Sequence, residues 1–168
     1  MKKLSYLLLV ASLTIISCAK PDTDSNNNPT SGPAYVIPDS LTTVYDLIND
    51  VREHGCYCGT DYYPPVSALS VDSRIEQAAL IHSQDMQTQG YFGHTGSDGT
   101  TVAERLTAVG YIWWAAGENI ASGQPTERDA FHDWLYSPSH CHNIMSPEYE
   151  DMGMGRVNNL WTFDFGKD

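Results

Sequence analysis

The chain has 168 residues, 41% of them hydrophobic, and a formal net charge of −12. That length leaves room for a leader, a linker and one ordinary domain with a real core. So acidic a chain argues against nucleic acid as a partner and against binding anionic lipid heads by charge.

Lys2 and Lys3 form a short basic start, and Leu4 to Ile16 is an apolar run. That order matches a secretory signal peptide over residues 1–17. The run is too short for a comfortable transmembrane helix, which needs about 20 apolar residues. Ile15-Ile16-Ser17-Cys18 resembles the lipobox of bacterial lipoproteins, in which the cysteine is lipidated and becomes the new N-terminus. Two or more acyl chains give stable anchoring. Lipid on Cys18 is therefore expected to hold the mature protein on a membrane, extracytoplasmic and in the cell envelope. Ala19, rather than Asp, follows the cysteine, which in Gram-negative lipoproteins implies the outer membrane. Residues 18–40 are rich in Pro, Asp, Ser, Asn and Thr and read as a lipidated start and flexible linker.

A globular domain is expected over residues 41–168. Val44, Leu47, Ile48 and Val51 fall at helical spacing, giving a helix from about Leu41 to His54 with Gly55 as its stop. Residues 56–71 read as irregular around Pro64-Pro65. Ser73 and Glu76 make a capping box for a second helix, with Ile75, Ala78, Ala79, His82 and Met86 on one face as far as Gly90. Thr101 and Glu104 make another, for a helix that Gly110 ends. Thr126 caps a fourth, with Phe131, Trp134 and Leu135 inward and Pro138 as its stop. Ala115 to Ser122 reads as a strand. Met152 to Val157 and Leu160 to Phe165 flank Asn158-Asn159 as a hairpin. Without regular strand-helix-strand alternation, the fold class is α+β with an antiparallel sheet.

Several residues have a simple structural reading. His82 reads as a hydrogen-bonded core histidine, with Asp85 at i+3 as its acceptor. Trp113 and Trp114 read as core or strand-edge residues rather than an exposed lipid or ligand contact. With Cys18 acylated, Cys56, Cys58 and Cys141 leave one bridge and one thiol over. Cys56-x-Cys58 is not the Cys-x-x-Cys of redox or zinc sites.

Three segments matter together: Tyr91-Phe92-Gly93-His94-Thr95, Gly117-Glu118-Asn119-Ile120, and Trp134 through Ser137-Pro138-Ser139-His140-Cys141 to Met145. With Gly153-Met154-Gly155 and the closing Trp161-Thr162-Phe163-Asp164-Phe165-Gly166, they resemble the bacterial branch of the CAP superfamily over about residues 44–166. This is the grouping of cysteine-rich secretory, antigen 5 and pathogenesis-related proteins. The resemblance implies a three-layer α-β-α sandwich with a central antiparallel sheet. It also implies a cleft with two histidines and two acidic residues that holds a divalent cation in some members. His94, Glu118 and His140 match three of these, while the position of the second acid is Ser137. Two imidazoles and one carboxylate suit zinc or another divalent cation with an open position for water. Cys58-Gly59 followed by Tyr63-Pro64-Pro65 resembles members with a single cysteine here and one after the second histidine. That implies a Cys58–Cys141 bridge, closing a loop of about 80 residues and contributing ~4–5 kcal/mol. Cys56 would then be the thiol left over; the Cys56–Cys141 pairing stays open.

No Gly-x-Ser-x-Gly, Ser-x-x-Lys or Walker loop is present. The resemblance favours a non-enzymatic binding module for a protein, peptide, glycan or lipid. A metal-dependent hydrolase using His94, Glu118 and His140 is the alternative.

Overall fold

A computed structural model describes Pro38, Ser40, Leu41 and residues 43–168. The signal peptide, Cys18 and nearly all of the linker lie outside the described residues. The first helix, α1 (Val44–His54), starts on Thr43, whose hydroxyl accepts from the Asp46 N–H. Its apolar face, Val44, Leu47, Ile48 and Val51, is fully buried.

The stretch expected to be irregular holds three short strands. β1 (Cys56–Cys58) and β2 (Asp61–Tyr63) pair antiparallel as a hairpin, and β3 is Ser70–Val71. Helix α2 (Ser73–Gln89) is capped one residue earlier than its sequence suggests. Asp72 accepts from the Arg74 N–H and ion-pairs with the Arg74 guanidinium, while Glu76 accepts from Tyr45 instead of closing a capping box. The box at Thr101 and Glu104 does form, at the start of α3 (Val102–Ala108). β4 (Ala115–Ser122) is followed by α4 (Glu127–Tyr136), with Thr126 as its N-cap. Pro138 does more than stop α4: it opens a further helix, α5 (Pro138–Met145), at the first-turn position where a missing N–H costs nothing. β5 (Asp151–Val157) and β6 (Leu160–Lys167) then form the expected hairpin, turning at Asn158 with φ 54°.

The main sheet runs β3-β5-β6-β4. It is antiparallel except at its edge, where β3 pairs parallel with β5. Strand periodicity divides β6 between two layers. Trp161, Phe163 and Phe165 point into a core with α1, α4 and α5, joined by Phe131, Trp134, Leu135 and Ile144. Thr162 faces the other way and accepts from Ser83 of α2. On that second face α2 lies directly on β5. A Cβ at Gly153 or Gly155 would overlap the α2 backbone at Glu76 or Leu80, so the Gly-Met-Gly pattern is a contact surface for the helix. The result is the expected three-layer α-β-α sandwich.

Cys58 and Cys141 form a disulfide with a Cα–Cα distance of 5.5 Å. Cys56 is not a leftover thiol, because no cysteine among the described residues is free. It is buried, with its Sγ 3.9 Å from the Cys141 Sγ.

Candidate functional site

Glu118, in the middle of β4, organises the site. It is only 7% exposed. Its Oε1 takes the Nδ1 of His94 at 2.6 Å, and its Oε2 takes the Nη2 of Arg105 at 2.5 Å. His82 Nε2 lies 3.8 Å from the same Oε2 and donates to the Gly93 carbonyl at 2.9 Å. Since a carbonyl only accepts, Nε2 carries the proton and the buried Nδ1 is the bare nitrogen. Burial lowers the pKa of His82, which fits a neutral ring. Its partner is thus Gly93 and not Asp85. Asp85 instead accepts from the Ser97 N–H, the Ser97 hydroxyl and the Tyr91 hydroxyl.

These bonds hold the loop that carries His94. Arg105 Nη1 donates to the carbonyls of His94 and Thr100 while its Nη2 holds Glu118. The His94 side chain is 59% exposed, so a solvent-facing imidazole stands on a buried ionic base.

His140 lies in the first turn of α5, and α5 is fixed to β4 by amides. Asn119 Nδ2 donates to the His140 carbonyl at 3.1 Å. Asn143 Nδ2 donates to the Glu118 carbonyl at 3.1 Å and to Asn119 Oδ1 at 2.9 Å. The Asn of Gly-Glu-Asn therefore sets the position of the second histidine. Burial lowers the His140 pKa, and the neighbouring His94 charge lowers it further. His142 turns away and bonds the Tyr63 hydroxyl at 3.1 Å. Ser137 and Ser139 pair their hydroxyls with each other at 3.4 Å.

A groove of about 280 Å³ opens beside His140, lined by Phe92, Ile120, Trp134, Ser137 and Asp133 among others. Asp133 stands four residues before Ser137 on α4, so the same helical face that lacks an acid at Ser137 has one a turn earlier.

Sequence reasoning missed the inner half of the site. Asp164 stands directly opposite Glu118 in the β4–β6 register. It is completely buried, and neither carboxyl oxygen has a hydrogen-bond donor. Burial first, then the adjacent Glu118 charge, pushes its pKa well above the ordinary carboxylate range. Both causes favour the protonated, neutral form of the Asp164 carboxyl. Its sequence signal was a carboxylate between Phe163 and Phe165, which gains meaning only once the strand register is known.

The residues do not fit a cation held by all three expected ligands. Both Glu118 oxygens are engaged, one of them by a guanidinium that would repel a metal. Among the described residues, the one group of three His, Cys, Asp or Glu ligand atoms within 4.8 Å of one another is Cys56, Cys58 and Cys141. None of those sulfurs is a free thiol.

The chain belongs to the CAP, or cysteine-rich secretory protein, family, whose model matches residues 45–164. Among relatives, the uncharacterized protein YkwD of Bacillus subtilis is 28% identical over 151 residues, covering 89% of this chain and 55% of YkwD. The chain thus spans about half the length of that relative. The uncharacterized membrane protein YlbC of the same organism is 28% identical over 125 residues, 74% of this chain and 33% of YlbC. An extracellular SCP-domain protein from Bacillus anthracis superimposes with a TM-score of 0.66 at 27% identity, covering 74% of this chain and 39% of that one. An outer surface protein of Borrelia burgdorferi shares the fold, with a TM-score of 0.64 at 22% identity over 74% of this chain and 89% of its own. No helix among the described residues is long and apolar enough to cross a membrane.

Proposed function

We propose that this protein is a binding module of the cell envelope, held outside the cytoplasm by lipid on Cys18. Its ligand is a protein, peptide, glycan or lipid taken at the His94–His140 cleft and the adjoining groove. The observation that carries this reading is the state of Glu118. A general base must reach a substrate proton with a lone pair to spare. Glu118 is buried, and both its oxygens are spent on His94 and Arg105. The carboxylate shapes the cleft and is not poised for hydrolysis. The exposed His94 ring and the Phe92–Trp134 groove offer hydrogen-bonding and apolar surface to a ligand. An extracellular protein and an outer surface protein among the structural relatives support the placement outside the cytoplasm, and Ala19 favours the outer membrane.

The test is photo-crosslinking in the intact envelope, with the crosslinker placed at Phe92 or Ser137 and, as a control, at Glu148. A product formed at the first two sites only, and lost with His94→Ala, supports the reading. Absence of such a product, together with zinc-dependent turnover of ester or peptide substrates that His94→Ala abolishes, would establish the hydrolase instead. The anchor is checked separately with a fatty-acid probe, whose incorporation Cys18→Ser is expected to abolish.

A further inference from the structure

The loop between α3 and β4 departs from the expectation that its tryptophans are core or strand-edge residues. Tyr111 is buried at the base of the loop, its hydroxyl donating to Asp151 at 2.7 Å and its ring lying under the Arg74 guanidinium. The next three residues turn outward: Ile112 is 79% exposed, Trp113 40% and Trp114 81%. Three consecutive bulky apolar side chains at such exposure are uncommon on a free surface. The chain holds them there. The Trp114 N–H donates to the Lys167 carbonyl at 2.6 Å, and Trp113 Nε1 donates to the Thr107 hydroxyl at 2.9 Å. The tip is therefore presented with both flanks fixed.

We infer that the Ile112–Trp114 tip inserts into the headgroup region of a phospholipid bilayer composed of zwitterionic lipid. Two observations favour a bilayer over a protein partner. The tip projects, and a bilayer accepts a projecting aromatic cluster without a matching pocket, whereas a protein must supply one. Tryptophan also prefers the membrane interface, where the ring is buried and its N–H stays wet. Charge then selects the lipid. Beside the tip Lys167 pairs with Glu150 at 2.5 Å, and Arg74 pairs with Asp72 at 2.5 Å and lies 3.7 Å from Asp168. Both cations beside the tip are paired, and carboxylates outnumber them there, in a chain whose net charge is −12. Insertion desolvates no unpaired charge at the tip, and anionic headgroups would repel the rest of the domain. The contact does not depend on the cleft, and it does not require lipid on Cys18, although an anchor would supply proximity.

The experiment uses the chain from residue 18 onward with Cys18→Ser, so that neither leader nor acyl chain contributes; every described element lies within it. The probe is vesicles of phosphatidylcholine and phosphatidylethanolamine. Trp134 and Trp161 are buried, so a fluorescence change reports Trp113 and Trp114. The expected result is a blue shift, quenching by brominated acyl chains, and co-sedimentation that is insensitive to salt. Trp114→Ala weakens partitioning by about tenfold, since one buried aromatic side chain is worth about that factor. Ile112→Ser with Trp113→Ser and Trp114→Ser abolishes it, with circular dichroism and thermal midpoint showing the domain still folded. Absence of any vesicle response overturns the inference and gives the tip to a protein partner. Binding that survives the triple substitution, or that requires anionic lipid and falls with salt, overturns it as well.

Discussion

At the scale of single residues, the site is an exposed histidine supported from beneath. Arg105 and Glu118 are both nearly inaccessible, so solvent does not screen their ion pair. Removing one partner from such a pair costs about 3–5 kcal/mol, because the other is left buried and uncompensated. Arg105→Met is therefore expected to lower the denaturation midpoint by that equivalent and to loosen the loop of His94, read as faster amide exchange there. Asp164 and His82 give stability a dependence on pH with opposite signs. Asp164 holds its proton more firmly folded than unfolded, so stability declines as pH rises above the ordinary aspartate range, until its folded pKa is passed. His82 is buried neutral, and the unfolded chain takes up a proton there below about pH 6.5. Its contribution therefore falls as pH drops. Asp164→Asn is expected to leave the protein at least as stable at neutral pH and to flatten the alkaline-going decline, as thermal midpoints across pH will show. A midpoint profile identical to the parent would refute the assignment of a protonated Asp164. His94, Glu118 and His140 were named as candidates from the sequence because each sits in a short motif. Arg105, His82 and Asp164 were not, since their meaning comes from contacts across β4, β6, α2 and α3.

At the scale of elements, the sequence carried most where periodicity was long and least where an element was short. The α2 face and β6 were readable from repeats of apolar side chains, and Asn158-Asn159 marked the turn of the β5–β6 hairpin. β1 and β2 have three residues each, too few to show an alternation. Helix α5 was hidden for another reason: proline ends one helix and begins the next with equal ease, and only the packing of Cys141, Ile144 and Met145 on the core decides. Ser73 and Glu76 carry the capping-box pattern, but Asp72 takes the cap, where its side chain also ion-pairs with Arg74. The close seat of α2 on β5 can be tested directly. Gly155→Ala places a methyl group against the backbone of α2 at Leu80, with no flexible side chain to yield. It is expected to destabilise by about 1–3 kcal/mol or more in urea titration.

At the scale of the whole molecule, the Cys58–Cys141 bridge ties the β1–β2 hairpin to the helix that begins beside His140, across a sequence separation of 83. Cys58→Ser with Cys141→Ser is expected to lower stability by about 2–5 kcal/mol. For a domain of this size that is a fall in thermal midpoint of roughly 5–15 °C, and a reducing agent should reproduce it. The sheet order has a consequence in time. Its two central strands, β5 and β6, follow every other described element in the chain, and β6 supplies Trp161, Phe163 and Phe165 to the core. Until they emerge, α2 lacks the β5–β6 surface it packs on and β4 lacks its β6 partner. The domain over residues 43–168 therefore closes late in its own synthesis, the behaviour a polypeptide needs if it is to be threaded through a narrow pore before it folds.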